Sequence, residues 1–173
     1  MPSIPFHYVD VRTFAYATED EKRVEQALRH FLPEDAAVER IASEGHHGDR
    51  IDILSARIEN ADDVRYALSR LANLPDLGGL VDELDDRVTE HTEFFLHLDK
   101  QAAFRGETAR GEGITFRAKV EAYPAKREKA VENARETLEA LEAHEVRVPD
   151  PDEVDGTASG ERASDGTDAD DEA

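Results

Sequence analysis

Residues 114–122, ITFRAKVEA, alternate without a break. Ile114, Phe116, Ala118, Val120 and Ala122 fall on one side, and Thr115, Arg117, Lys119 and Glu121 on the other. Successive side chains of a strand point to opposite faces, so this spacing predicts a strand with one buried and one polar face. Pro124 stops it. Half-buried alternation of this kind suits an antiparallel sheet that carries helices on one side and leaves the other open.

The rest of the chain supplies such a sheet and its helices. Residues 6–16, FHYVDVRTFAY, are β-branched and aromatic, which predicts a strand. Thr18 is placed to cap a helix whose first turn holds Glu19, Asp20 and Glu21. Its apolar stripe is Val24, Ala27, Leu28 and Phe31, and Pro33 follows its end. Strands at 36–43 and 50–58 flank the turn sequence Gly45-His46-His47-Gly48-Asp49 and read as a hairpin. Asn60 caps a second helix with stripe Val64, Ala67, Leu68 and Leu71. A short helix is expected over 79–88, a strand over 93–98, and a short helix or loop after it that ends at Gly106. The last helix, 126–143, carries Val131, Ala134, Leu138 and Leu141. The order β-α-β-β-α-(α)-β-(α)-β-α describes an α+β fold: a mostly antiparallel sheet with helices packed on one face.

The other face would present Tyr8, Arg12, Phe14 and Tyr16 from the first strand, and Arg117 and Lys119 from the strand 114–122. Aromatic and basic residues on an open sheet are how several RNA-binding folds hold unstacked bases. The alternative is that these aromatics lie under a helix or at an interface between two copies of the chain. The charge pattern points the same way as the first reading. The chain carries a formal net charge of −20, yet residues 100–129 hold eight basic residues against four acidic ones. A basic run inside an acidic protein suits an anionic partner such as a phosphate backbone.

Most of the negative charge has a different explanation. Of the 21 basic residues only five are Lys, against 41 acidic residues spread along the whole chain. That composition resembles proteins of extreme halophiles, whose cytoplasm is molar in salt. At 1 M the screening length is about 3 Å, so like charges repel little and carboxylates keep the surface hydrated. Residues 145–173 hold eleven acidic and two basic residues and no large apolar side chain after Val154. They are expected to form a disordered acidic tail behind a domain spanning 1–144.

Several function classes find no support. With no Cys, disulfides, thiolate metal sites and thiol nucleophiles are excluded. No P-loop, G-x-G-x-x-G, H-E-x-x-H or G-x-S-x-G stands in the sequence. His46, His47 and Asp49 read as a turn, since adjacent His side chains converge poorly on one ion. Glu83, Asp85 and Asp86 form an acidic cluster of the kind that chance produces in so acidic a chain. No metal, cofactor or catalytic residue is expected. No stretch approaches the ~20 apolar residues of a membrane span. The opening MPSIPFHYVDVR lacks a basic segment followed by an apolar one, so the expected location is the cytoplasm.

Four ordered segments carry a resemblance: ATED at 17–20, GHHGD at 45–49, LDKQAAFRG at 98–106 and YPAKRE at 123–128. With their surroundings, over roughly residues 4–142, they resemble an archaeal RNA-binding family described as predicted exosome subunits. Its fold is similar to that of the 5S-rRNA-binding protein of the large ribosomal subunit. The resemblance implies a non-catalytic RNA-binding protein, with exosome or ribosomal proteins as further partners. The other role it leaves open is a protein–protein adaptor. The matching positions it offers for RNA are Arg87, Lys100, Gln101, Lys119, Lys126 and Arg127, to which the basic run adds Arg105 and Arg117. Tyr8, Phe14 and Tyr16 are the candidates for base stacking. At 97, where the family pattern prefers Arg, this chain has His.

Overall fold

Strand β1 (Phe6–Tyr16) runs through the centre of a five-stranded sheet of order β2-β3-β1-β5-β4. Its neighbours are β3 (Arg50–Ile58) and β5 (Gly113–Val120), and the edges are β2 (Glu39–Glu44) and β4 (Glu93–Asp99). Every ladder is antiparallel. This computed structural model describes residues 4–45 and 47–143. The expected acidic tail, and His46 of the turn, lie outside the described residues.

The helices are α1 (Glu21–Arg29), α2 (Ala61–Leu71), α3 (Leu77–Asp82), α4 (Leu84–Arg87), α5 (Lys100–Phe104) and α6 (Arg127–Ala143). Their apolar stripes meet one face of the sheet in a single core. Val9, Val11, Leu54, Phe94, Leu96, Ile114 and Phe116 supply the strand side of that core. Phe116 is fully buried and meets Phe31 and Phe94 edge to face, each with ring centroids 6.4 Å apart. The stripes expected on α1, α2 and α6 are the ones that bury, with Leu141 only partly covered. Ile114, Phe116, Ala118, Val120 and Ala122 are all inside as the alternation of 114–122 expects, though the strand itself ends at Val120.

Three local expectations need correction. Thr18 does not cap α1; the Glu19 N–H bonds back to the Tyr16 carbonyl, and Asp20 accepts from the Lys22 N–H at 3.0 Å as the cap. The helix expected over 79–88 is two, because Glu83 leaves helical geometry at φ −92°, ψ 0°. The first hairpin strand begins at Glu39 rather than 36, and all six of its residues are exposed, so alternation had no buried face to mark.

Candidate nucleic-acid interface

Strand register decides what the uncovered side of the sheet displays. Along β1, Tyr8, Arg12, Phe14 and Tyr16 point away from the helices, as the sequence predicts, and Asp10 stands among them. Asp10 pairs with Arg57 on β3 and with Arg117 on β5, and Arg117 pairs onward with Phe95 on β4. The next row reads Ser55, Arg12, Thr115, His97. At one end Tyr8 pairs with Lys119; towards the other, Phe14 lies beside Ile53 and Tyr16 beside Ile51. No described helix covers this face.

An ion-pair network ties the central row together. Arg57 donates from Nε and Nη2 to the two oxygens of Asp10 at 2.9 and 2.7 Å. Arg117 reaches the same carboxylate at 3.5 Å and Glu93 at 4.0 Å. The Tyr8 hydroxyl donates to Glu93 at 3.4 Å. Burial raises the Tyr8 phenol above its usual range, and the Glu93 charge adds to that. The hydrogen bonds to Asp10 raise Arg57, so it stays charged at any working pH. Arg12 has no carboxylate partner among the described residues; its guanidinium lies 5.8 Å from the Phe14 ring centroid. Lys119 donates to the His91 carbonyl and likewise has no carboxylate partner among the described residues. Between the two rows lies a shallow depression of about 210 Å³, lined by Asp10, Arg12, Ser55, Thr115 and Arg117.

The basic run 100–129 is contiguous in sequence and divided in space. Arg117 and Lys119 join Tyr8 on the open face. Lys100, only 13% exposed, is held inside: its Nζ donates to the Phe14 carbonyl at 3.0 Å and to Glu19 at 2.9 Å, 5.3 Å from the Tyr16 ring centroid. Gly113 makes room for it, at φ +114° and where a Cβ would come 2.6 Å from the Lys100 Cβ. Gln101 and Arg105 are exposed on and just after α5, with Arg105 3.7 Å from Glu107. Arg87 and Arg127 come together at the opposite end of β4, roughly 20 Å away at about 3.3 Å per strand residue. Arg127 donates to the Val88 carbonyl at 3.1 Å, and Arg87 to Glu83 at 3.2 Å. Arg110 also bonds Glu83, and that bond, with Arg87's, holds the Glu83 carboxyl below the usual range. Lys126, beside them in sequence, is exposed.

A family model described as RNA binding matches residues 8–120, which reaches all five strands and leaves out only the first two residues of β1. The chain belongs to this RNA-binding family. The RNA-binding protein PAB1135 of Pyrococcus abyssi is 36% identical over 144 residues, covering 77% of this chain and 94% of the relative. Among solved structures, Mth689, a DUF54 protein from Methanothermobacter thermautotrophicus, is 42% identical with a TM-score of 0.66, covering 77% of this chain and 98% of its own. AF2318 from Archaeglobus fulgidus, also of DUF54, is 26% identical with a TM-score of 0.68, covering 76% and 99%. The family match starts at Tyr8 and ends at Val120, so it spans the open-face rows and stops before Lys126 and Arg127.

Sequence reasoning missed two open-face residues. Arg57 stands 47 positions from Asp10, and only the β1–β3 register joins them. Residues 51–58 carry apolar side chains on both faces (Ile51 and Ile53 on one, Leu54 and Ile58 on the other), which hides the strand's orientation. Phe95 was hidden in the same way by Phe94 and Leu96. Among the described residues no helix is long and apolar enough to cross a membrane.

Proposed function

We propose that this protein is a non-catalytic RNA-binding protein whose contact surface is the open face of the sheet. The observation that carries the reading is the set Arg12, Arg57, Arg117 and Lys119, interleaved with Tyr8, Phe14, Tyr16 and Phe95, on a face no described helix covers. Arg117, Lys119 and Arg12 meet phosphates, and Phe14 and Tyr16 offer rings to bases. Gln101 and Arg105 extend the track past Tyr16, and Lys126 extends it past Val120. Arg87, Lys100 and Arg127, engaged by internal partners, act by holding loops and helices in place. Structured or single-stranded RNA is favoured over duplex DNA, because duplex bases keep their π-faces stacked. Membership of the family and the name of the Pyrococcus relative support this reading.

The finer assignment rests on the resemblance and the composition described above. The protein works in the cytoplasm of an archaeon adapted to high salt, beside the exosome or in ribosome maturation, with a fold akin to the 5S-rRNA-binding ribosomal protein. Its acidic tail, residues 145–173, keeps the chain soluble in that medium. One observation favours a second reading, a protein–protein adaptor in such an assembly. Strand β2 is an edge with every residue exposed, Ile41 at 55%, and an open edge pairs readily with a strand from a protein partner or a second copy.

The test is RNA binding by fluorescence anisotropy in ~2 M KCl, where screening runs over roughly 2 Å. Wild type should bind single-stranded RNA, and Arg117→Glu/Lys119→Glu should abolish binding. A chain truncated after His144 should bind as wild type does. No binding by either the full or the truncated chain overturns the RNA reading and brings the adaptor forward.

A further inference from the structure

Arg57 differs from the other open-face cations in having both its fork and one of its planes occupied. The Nε–Nη2 edge that would grip a phosphate is closed on Asp10 at 2.9 and 2.7 Å. Its guanidinium carbon lies 4.1 Å over the centroid of the Tyr8 ring, a stacking separation. The Tyr8 hydroxyl is tied in turn to Glu93 at 3.4 Å. The Arg57 side chain nonetheless keeps 49% of its surface exposed. With the fork closed on Asp10 and Tyr8 beneath, that exposed surface is left for a ligand.

We infer that Arg57, seated on Tyr8 and locked by Asp10, is a stacking platform for one unpaired nucleobase. The inference rests on the RNA-binding reading and names the ligand class within it: single-stranded RNA recognised through its bases. Three physical points support it. A guanidinium plane is a stacking surface for splayed-out bases. The Asp10 carboxylate beside it repels a phosphate but not a neutral ring. The two hydrogen bonds and the ring beneath fix Arg57 before RNA arrives, so little side-chain freedom is lost on binding. Tyr8, expected from sequence to stack directly on a base, is thereby the floor of the platform. The neighbouring depression places the Ser55 and Thr115 hydroxyls and the Arg12 and Arg117 guanidinium groups beside Asp10 in the same patch, a set of donors and acceptors suited to the edge of the stacked base. Stacking is also the mode of binding that survives molar salt, where phosphate contacts lose affinity.

The experiment uses the full chain in ~2 M KCl with two probes: an oligoadenylate octamer and an abasic ribose-phosphate octamer. The proteins are wild type, Arg57→Lys, which keeps the charge and loses the plane, and Tyr8→Leu, which removes the floor. Wild type should prefer the base-carrying octamer. Arg57→Lys should lose about tenfold on that octamer, and bind the abasic one within about twofold of wild type. Tyr8→Leu should show the same base-dependent loss. Either variant binding oligoadenylate as wild type does, or losing equally on both probes, overturns the platform while leaving the RNA reading intact. Failure of wild type to hold either probe overturns the RNA reading itself, and the platform with it.

Discussion

Arg117 and Arg127 belong to one basic run, ten positions apart, and sit in different surroundings. Arg117 stands on the open face, 48% exposed, with loose ion pairs at 3.5 and 4.0 Å. Arg127 lies behind the sheet, where its guanidinium closes the Val88 carbonyl at the end of α4. Lys100 is more extreme, enclosed with Glu19 and the Phe14 carbonyl. Positive charge in sequence therefore says little until burial and partners are known. Lys100 and Arg127 give their donors to internal acceptors, whereas Arg12 and Arg117, with absent or loose carboxylate partners, stand on the aromatic side of the sheet.

The contrast can be broken by experiment. Replacing Lys100 with Met takes the ammonium from the Phe14 carbonyl and from Glu19, which keeps only the Tyr16 N–H at 3.1 Å, and should cost about 2 kcal/mol of stability in a urea melt. RNA affinity should change little. Affinity that collapses while stability holds would move Lys100 to the binding surface. Next come two matched double variants, each removing two positive charges. Arg117→Gln/Lys119→Gln should weaken single-stranded RNA binding about tenfold in ~2 M KCl. Arg87→Gln/Arg127→Gln should stay within about twofold and instead lower stability by about 1 kcal/mol. Equal losses of affinity in the two would erase the distinction.

Acid titration sharpens the structural half of the comparison. Burial, reinforced by the Arg70 charge, lowers His30 to about 4, and its Nε2 sits 2.9 Å from the buried Thr108 hydroxyl. A depressed pKa means the unfolded chain takes up the proton first. The neutral ring's contribution is therefore intact above about 6.5 and fades as pH falls towards 4. Thermal melts between pH 7.5 and 4.5 should show an acid-sensitive share on the order of 1 kcal/mol, discounted for the ring's partial exposure. His30→Gln should remove that share without touching RNA affinity measured at neutral pH. The smallest effect belongs to Phe14→Ala, where losing a partly buried ring on the open face should weaken RNA binding about fivefold in the same anisotropy assay, the lower end of a stacking contribution.

How far sequence reached follows from the same physics. Alternation in 114–122 assigned every side chain of β5 to its face, because one face is wholly apolar. The α1, α2 and α6 stripes were legible for the matching reason, a helical period with one buried side. Strand β2 was placed imprecisely because nothing in it is buried. The Asp20 cap lost to Thr18 in the reading because both residue types cap, and only the turn at Tyr16 decides between them. Of the candidate interface, Tyr8, Phe14, Arg117 and Lys119 were legible because each follows from the alternation of a single strand. Arg57 escaped because its role depends on a partner in another strand, and pairing register is what local pattern carries least. The separation of Lys100 from Arg127 escaped for the same reason: both follow from packing that the linear run conceals.

The most direct test of the central claim is ultraviolet cross-linking of the full chain to a uridine-rich single-stranded RNA in ~2 M KCl, with the attached residues read by mass spectrometry. Adducts on the β1 peptide at Tyr8, Phe14 or Tyr16, or at Phe95 of β4, would place the RNA on the open face of the sheet. Adducts confined to residues of α4 and α6 around Arg87 and Arg127 would contradict it and turn the proposed interface to the helical side.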